Sequence, residues 1–356
     1  MHFLLIQPKY YSRYPPLGLL KISTYLKNKG HSVEYIKGMG KPKRNPDEIY
    51  VTSLFTYAWK IVHETIKYYR KLFPQVKITL GGLYASLMPN HAKKSQVDIV
   101  HIGLYDEVED LMPDYSLVPN WNASIIFSSR GCIRKCGYCA VPVLEPNFKT
   151  KNSIKHLIYN KHEKVVIWDN NLLASPFVHD ILDELLELNL EVDFNHGLDA
   201  RMMDLSIAKK LRKLRVKYVR MAYDLIDYRE EVKNAIDVLI EAGYRGRDLF
   251  FYTLHNFNDT PEDFFLRHQD IMKWGVVSYP MRYIPLKALE KNGFVSKNWT
   301  EEELEMIADA RRVIGVRGAF PPYKGLQLKI LNAKNFYDAF ILRPPNKSGS
   351  KVHVRS

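Results

Sequence analysis

The sequence of 356 residues has little cysteine and no long apolar runs. Its three cysteines fall within eight residues, in the segment SSRGCIRKCGYCAVP, and so tight a group cannot form a disulfide framework for a chain of this size. No stretch approaches the roughly 18 consecutive apolar residues of a membrane-spanning helix. The first residues, MHFLLIQPKYY, lack the basic segment and cleavage site of a signal peptide. We therefore expect a cytoplasmic protein with no membrane partner.

Basic residues outnumber acidic ones in a chain that has enough apolar side chains for sizeable cores. Lys and Arg total 52 against 39 Asp and Glu, which gives a formal net charge of +13, and 46% of the residues are hydrophobic. At about 150 residues per domain, the length suggests two to three domains. The charge predicts either an anionic partner, such as a nucleotide or nucleic acid, or an ordinary solvated basic surface.

The first hundred residues alternate short apolar runs with helical patterns, which predicts a doubly wound α/β domain over residues 1–115. The connection 38–48 has no helical period, although parallel strands usually need a helical crossover, so we expect an abbreviated Rossmann-like domain. The predicted strands are 3–8, 32–37, 49–54, 77–82 and 98–103.

Two helices are predicted between these strands. The first places Leu17 and Leu20 near helical spacing and stops at Gly30. The second is capped by Thr56 and ends before Pro74.

A second series of strands, alternating with helical patterns, follows a linker rich in Asp, Pro and Asn. Six β/α units in residues 120–290 predict a partial parallel (β/α)6 barrel rather than a closed eight-stranded one. The predicted strands are 125–129, 164–168, 191–194, 217–223, 249–254 and 276–281.

Residues 291–356 are predicted to form a small helical C-terminal region with a basic tail. A capping box from Thr300 to Glu303 opens a helix that reaches Ile314, and a second short helix is predicted in NAKNFYDAFIL. The tail 343–356 combines Pro, Gly, Ser and basic residues, which is typical of a mobile segment.

The cysteine spacing C-x3-C-x2-C, directly after a predicted strand, is typical of a metal site. Cys132, Cys136 and Cys139 can hold three irons of a cubane cluster and leave the fourth iron open. Zinc is the alternative, and because structural zinc needs four ligands, His156 or His162 would have to complete that site.

The segment RGCIRKCGYCAVP resembles the signature loop of the radical SAM superfamily, and the resemblance extends over residues 120–290. It implies a [4Fe-4S] cluster on Cys132, Cys136 and Cys139, with S-adenosylmethionine (SAM) bound to the open iron. Reductive cleavage of SAM would give methionine and a 5'-deoxyadenosyl radical. The resemblance further implies that Tyr138 lies beside the adenine, and that an external one-electron reductant of the flavodoxin or ferredoxin type supplies the electron.

Residues 1–115 resemble, more weakly, the cobalamin-binding (B12-binding) domain that often precedes this barrel. The resemblance rests on PPLGLLKISTYLKNKGHSVEYI and on the ITLGG turn, and it implies cobalamin as an additional cofactor. The motif D-x-H-x-x-G is not found after the first strand. Gly81 and Gly82 either let a cofactor approach the backbone or form a tight turn.

Polar residues follow nearly every predicted barrel strand, where the loops of a parallel barrel converge on one mouth. We expect them to bind SAM, with Arg201 paired to its carboxylate. Alternatively, Asp169, Asn170 and Asn171 only shape a loop, and His255 only forms hydrogen bonds with the backbone of a turn. The predicted cofactor-binding residues, besides Tyr138, are Asp169, Asn170, Asn171, Asn195, Asp199, Arg201, Asp224 and His255.

These features predict a radical SAM enzyme that abstracts hydrogen from an unidentified substrate, which the charge suggests is anionic, such as a nucleotide or nucleic acid. A cobalamin-dependent radical SAM methyltransferase is one alternative. A nucleic-acid-binding module with a structural metal is the other, and the basic run 209–220 is either its binding surface or a solvated helix face. The sequence assigns no catalytic acid, base or radical relay.

Overall fold

A computed structural model of the chain describes residues 1–312, 320 and 323–342. The strands are β1 His2–Gln7, β2 Ser32–Lys37, β3 Glu48–Ser53, β4 Lys77–Gly82, β5 Ile99–Val100, β6 Ala123–Ile126, β7 Ser129–Arg130, β8 Lys149–Thr150, β9 Lys164–Ile167, β10 Glu191–Phe194, β11 Arg215–Val216, β12 Val219–Ala222, β13 Leu249–His255 and β14 Val277–Arg282. The α-helices are α1 Leu17–Asn28, α2 Trp59–Leu72, α3 Leu83–Leu87, α4 Pro89–Ala92, α5 Val141–Leu144, α6 Val178–Leu188, α7 Leu205–Lys213, α8 Arg229–Glu241, α9 Pro261–Lys273, α10 Glu301–Arg312, α11 Lys324–Asn332 and α12 Phe336–Phe340.

The first five strands form one parallel sheet in the order β2-β1-β3-β4-β5, which confirms the doubly wound α/β prediction. Both faces of β1 are buried: Leu4 and Ile6 pack in the cluster that contains α2, and Phe3 and Leu5 pack against α1. Burial on both faces explains why this strand reads as a continuous apolar run. As predicted, the connection from β2 to β3 contains no helix.

The predicted role of Thr56 as a helix cap is wrong. Helix α2 begins at Trp59, and its N-cap residue Ala58 makes no side-chain cap bond. The Thr56 hydroxyl instead donates a 2.6 Å hydrogen bond to the carbonyl of Ala288, far along the chain. A Thr before an apolar helical pattern looks the same in sequence whether its hydroxyl caps the helix or bonds a distant carbonyl.

The second series of strands forms two parallel sheets, β11-β10-β9-β6 and β12-β13-β14. The strand predicted over 217–223 is shorter in the structure, where it is β12 at Val219–Ala222, and β11, which precedes it and pairs with β10 in the other sheet, was not predicted. The sheets approach where the Leu198 amide donates to the Arg220 carbonyl at 2.7 Å. These strands and the helices between them follow the predicted order of six β/α units.

Alternation along the barrel strands separates an outer layer from a lumen. On β12, Val219 and Met221 pack into the large core under the helices, while Arg220 and Ala222 lie on the opposite face. Ala222 is exposed although it lies within a strand, and Met281 on β14 is 43% exposed. Closed parallel barrels fill this space with side chains. Here the inner face of the strands is left exposed at Ala222 and Met281.

The C-terminal region packs against the outside of the barrel. Thr300 and Glu303 form the predicted capping box of α10, and α12 confirms the short helix predicted in NAKNFYDAFIL. Helix α11 was not predicted. Phe320 pairs with Ser278 through two backbone hydrogen bonds and so covers the free edge of β14. The predicted helix end at Ile314 and the tail 343–356 lie outside the described residues.

Within the described part of the chain, no helix is both long and apolar enough to cross a membrane.

Candidate active site

The cysteine loop begins at the carboxyl end of β6 and is closed at its base by the antiparallel pair β7 and β8. Gly131 enters the loop with φ +75°, and a Cβ at this position would lie 2.3 Å from the carbonyl oxygen of Asn147. Only glycine tolerates both the left-handed conformation and this approach. The closed base holds the three thiols at the end of the barrel where functional groups of parallel sheets gather.

Backbone amides donate to two of the three thiols, which are all free and half-buried. The Arg134 amide donates to Cys132 Sγ at 3.3 Å, and the Val141 amide donates to Cys139 Sγ at 3.4 Å. Burial raises the pKa of the Cys139 thiol, and the neighbouring cysteines act in the same direction. Amide donors stabilise thiolates, which are the form that binds metal.

The structure places neither proposed fourth zinc ligand beside the cysteines. In residues 1–312, 320 and 323–342, no group of three or more His, Cys, Asp or Glu side chains is placed to hold one metal ion, and this holds for the three cysteines as well. His162 lies at the opposite end of the barrel, before β9, where it bonds Ser124 Oγ and packs against Tyr115. His156 is exposed near the same end.

Asp199 connects the cysteine loop to the mouth of the barrel. Arg201 Nε donates to it at 2.7 Å, and Arg134 Nε and Asn171 Nδ2 each donate at 3.1 Å. Burial alone would raise the pKa of Asp199, but the two guanidinium groups hold it below its ordinary value. Two cations share one carboxylate, so this group carries a net positive charge beside the cysteines.

Two asparagines after neighbouring strands present free carbonyl oxygens. The Oδ1 of Asn171 is buried and has no hydrogen-bond partner, while its Nδ2 donates to Asp199. The Nδ2 of Asn195 donates to the Tyr14 hydroxyl at 2.6 Å. A buried unpaired acceptor costs free energy, so Asn171 fits a ligand that brings hydroxyl or ammonium donors.

Tyr138 and Asp224 meet across the mouth. The Tyr138 hydroxyl donates to Asp224 Oδ2 at 3.0 Å, while the Leu254 amide donates to Oδ1 at 2.9 Å. Burial raises the pKa of Asp224, and burial followed by the nearby carboxylate raises the pKa of Tyr138. The Tyr138 ring packs edge-on against Phe257 with ring centroids 5.5 Å apart. These contacts fix the end of the cysteine loop.

The structure uses three other predicted site residues for local contacts. Both oxygens of Asp169 are occupied by the hydroxyls and an amide of Ser128 and Ser129. Asn170 Nδ2 donates to Glu145 Oε2 at 3.1 Å. His255 lies on the outer face of β13 rather than in the lumen. These placements correspond to the loop-shaping alternative for Asp169 and Asn170.

His255 packs among aromatic side chains outside the barrel. It is 1% exposed and packs against Phe264 and Trp299 with ring centroids 5.1 and 5.8 Å away. Burial holds its pKa well below the ordinary value. Successive residues of a β-strand point to opposite faces of the sheet, and the sequence alone did not indicate to which face His255 would point.

Arg134 and Glu145 lie near the site and were not predicted, whereas His196 was expected among the polar residues after β10. Arg134 lies between two of the cysteines, and only its position in the loop could have drawn attention to it. Glu145 accepts hydrogen bonds from the Gly131 amide at 2.8 Å and from Arg130 at 3.2 Å. His196 stacks on Trp168 at 5.8 Å with an interplanar angle of 6°, and burial lowers the His196 pKa to about 4. This imidazole is therefore neutral at pH 7.

The N-terminal glycine turn has a packing explanation. A Cβ on Gly82 would lie 2.1 Å from the backbone oxygen of Ser53 on the adjacent strand. Tyr84 is fully buried, and its hydroxyl bonds His63 at 2.8 Å and His91 at 2.6 Å. The absent side chain at Gly82 thus allows two strands to approach, and the turn gives no support for bound cobalamin.

No protein-family model matches the chain, and no curated protein sequence matches it. Among solved structures, coproporphyrinogen III oxidase (HemN) of Escherichia coli, described as a radical SAM enzyme, is similar at a TM-score of 0.37 with 13% identity. That alignment covers 58% of this chain and 57% of the HemN chain, so it leaves much of both proteins unmatched.

Two sugar-binding proteins of Geobacillus stearothermophilus are also similar to part of the chain. The arabinose-binding protein AraP gives a TM-score of 0.20 at 9% identity, over 78% of this chain and 80% of AraP. The glucose-galactose-binding protein GanP gives 0.18 at 11% identity, over 78% of this chain and 84% of GanP. At such scores these three likenesses indicate neither a family nor a function for this chain.

Proposed function

We propose that this protein is a radical SAM enzyme, with Cys132, Cys136 and Cys139 as ligands of a [4Fe-4S] cluster. The observation that carries the proposal is the position of three free, half-buried thiols on one closed loop at the mouth of an accessible parallel barrel. When bound there, the cluster would supply the electron that cleaves SAM reductively. A structural metal would need neither the open lumen nor the polar mouth.

The residues at the mouth fit the chemistry of SAM. The net positive charge of Arg134 and Arg201 around Asp199 suits a carboxylate. The unpaired Oδ1 of Asn171 suits an ammonium or a ribose hydroxyl. Within this proposal Asp199 keeps both guanidinium groups oriented, and burial in the mouth strengthens their attraction for an anionic ligand.

The lumen supports the second half of the proposal, which is hydrogen abstraction from a substrate. Exposed Ala222 and Met281 leave space for a substrate, and a substrate bound there would displace water from this face of the strands. Exclusion of water protects a reactive intermediate from side reactions. An external one-electron reductant remains part of the proposal, as does an anionic substrate.

The nucleic-acid-binding alternative gains no support from the basic run 209–220. Lys210 pairs with Asp183 at 2.5 Å, and Arg212 donates to the Gly243 carbonyl at 3.2 Å. Leu211 and Leu214 from the same run are buried in the barrel core. The run therefore contains a solvated helix face of the ordinary kind, at the end of the barrel away from the cysteines.

The proposal is tested by anaerobic reconstitution with iron and sulfide, addition of dithionite and SAM, and chromatography of 5'-deoxyadenosine. We expect the product from the wild-type protein and its loss in Cys136→Ala. Ile133→Ala is the matched control, because Ile133 lies in the same loop and is 48% exposed. Absence of 5'-deoxyadenosine from a wild-type protein that contains the cluster would refute the proposal.

A further inference from the structure

The loop between β1 and α1 reaches from the N-terminal sheet into the mouth of the barrel. Its Tyr14 accepts the 2.6 Å hydrogen bond from Asn195 Nδ2, across 181 residues of sequence. The Tyr14 ring packs edge-on against Trp121 and Trp168, with centroids 5.6 and 5.1 Å away. Tyr14 is thus an N-terminal residue that lies among the barrel's own strand-end side chains.

Packing on either side of this loop holds Tyr14 in place. Leu17, at the start of α1, is buried in one cluster with Ala123 and Ile125 of β6. Thr56 bonds the Ala288 carbonyl, in the segment after β14. The N-terminal domain therefore contacts both β6, the first strand of the series, and the segment after β14, the last strand.

The hydrogen bond determines which atom of Asn195 remains available. Because Nδ2 is directed at the Tyr14 hydroxyl, Oδ1 is left as an acceptor. Asn171 on the neighbouring strand has the same arrangement, with its nitrogen bound to Asp199 and its Oδ1 unpaired. Burial, reinforced by Asp193, raises the pKa of Tyr14, so its hydroxyl keeps its proton at neutral pH.

We propose that Tyr14 is a positioning residue for the cofactor site: it holds Asn195 so that the side-chain oxygen faces a ligand with hydroxyl or ammonium donors. This inference rests on the proposed function, since SAM is the ligand that brings such donors. It also makes the N-terminal domain part of the active-site wall instead of a separate cofactor-binding module.

The test measures SAM affinity by anaerobic equilibrium dialysis with the reconstituted full chain. Loss of one neutral hydrogen bond corresponds to about threefold to tenfold in affinity, so we expect Tyr14→Phe to bind SAM that much more weakly. Tyr35→Phe is the matched control, because its hydroxyl bonds Gln7 at 2.5 Å within the N-terminal sheet. Tryptophan fluorescence of the ligand-free Tyr14→Phe protein should match wild type, because the ring contacts remain.

A double-substitution cycle separates positioning from a general structural effect. In an Asn195→Ala background, Tyr14→Phe should cause no further loss of SAM affinity. Equal affinity of Tyr14→Phe and wild type, or the same loss with and without Asn195, would overturn the inference. If the wild-type protein with its cluster binds no SAM, the proposed function itself fails.

Discussion

Replacing Gly131 with alanine tests how the base of the cysteine loop is held closed. The Gly131 residue has φ +75°, and an added Cβ would lie 2.3 Å from the Asn147 oxygen and 2.9 Å from the Glu145 oxygen. Neither neighbour is the end of a flexible side chain, because both contacts are to backbone. The loop must therefore open for the substituted residue to fit.

The magnitude follows from two contributions to the free energy of unfolding. A left-handed conformation costs an L-residue about 1 to 2 kcal/mol. Forcing an extra carbon into a packed position costs about 1 to 3 kcal/mol more. Gly131→Ala should therefore destabilise by about 2 to 5 kcal/mol. Gly30→Ala, with φ +79° and no atom within 4 Å of the added Cβ, should show only the first contribution.

The two variants are compared by urea unfolding, followed by tryptophan fluorescence, and by iron content after reconstitution. Gly131→Ala should unfold at lower urea than Gly30→Ala and should retain less iron, because an opened loop separates the thiols. If the two variants lose equal stability, the contact with Asn147 does not hold the loop. Full iron content in Gly131→Ala would contradict the link between the loop base and the metal site.

Two further predictions concern Arg267 and His268, buried side chains of α9. Arg267 is 0% exposed and pairs with Asp259 at 2.6 Å, so the substitution Arg267→Met leaves a buried carboxylate without its cation. We expect this variant to lose about 3 to 5 kcal/mol of unfolding free energy, measured by urea unfolding. The control Arg245→Ala, at an exposed arginine, should change stability by less than about 0.5 kcal/mol. Burial lowers the pKa of His268 from 6.5 to about 3, so the unfolded state binds more protons between these values and stability falls as the pH drops through this range. Between pH 7 and pH 5, His268 should account for about 2 kcal/mol of the stability that the protein loses. If a His268→Gln protein loses as much stability as wild type over that range, buried neutral His268 is not the cause.

Much of the fold was predictable because local patterns determine it. Apolar runs bounded by Gly and Pro located the strands, and the capping box at Thr300 located the start of α10. The break between β11 and β12 was not predictable, since it depends on which neighbour each short strand pairs with. Helix α11 was missed because its pattern gave no strong start signal.

The candidate site was predictable where sequence neighbours act together. The three cysteines lie on one loop, and strand-end residues such as Asn171 and Asp199 do meet at the mouth. The contact of Tyr14 with Asn195 joins two domains, and no local pattern encodes such a pairing. The outward orientation of His255 depends on the register of β13 against α9, which becomes visible only with tertiary packing.

Electron paramagnetic resonance can show whether the cysteine loop holds a cluster with one open iron. Spectra of the reconstituted, dithionite-reduced protein are compared with and without SAM. We expect a [4Fe-4S] signal whose g-values change when SAM binds, and no such signal in Cys136→Ala. A cluster signal that SAM leaves unchanged, or a wild-type protein that assembles no cluster, would contradict this expectation.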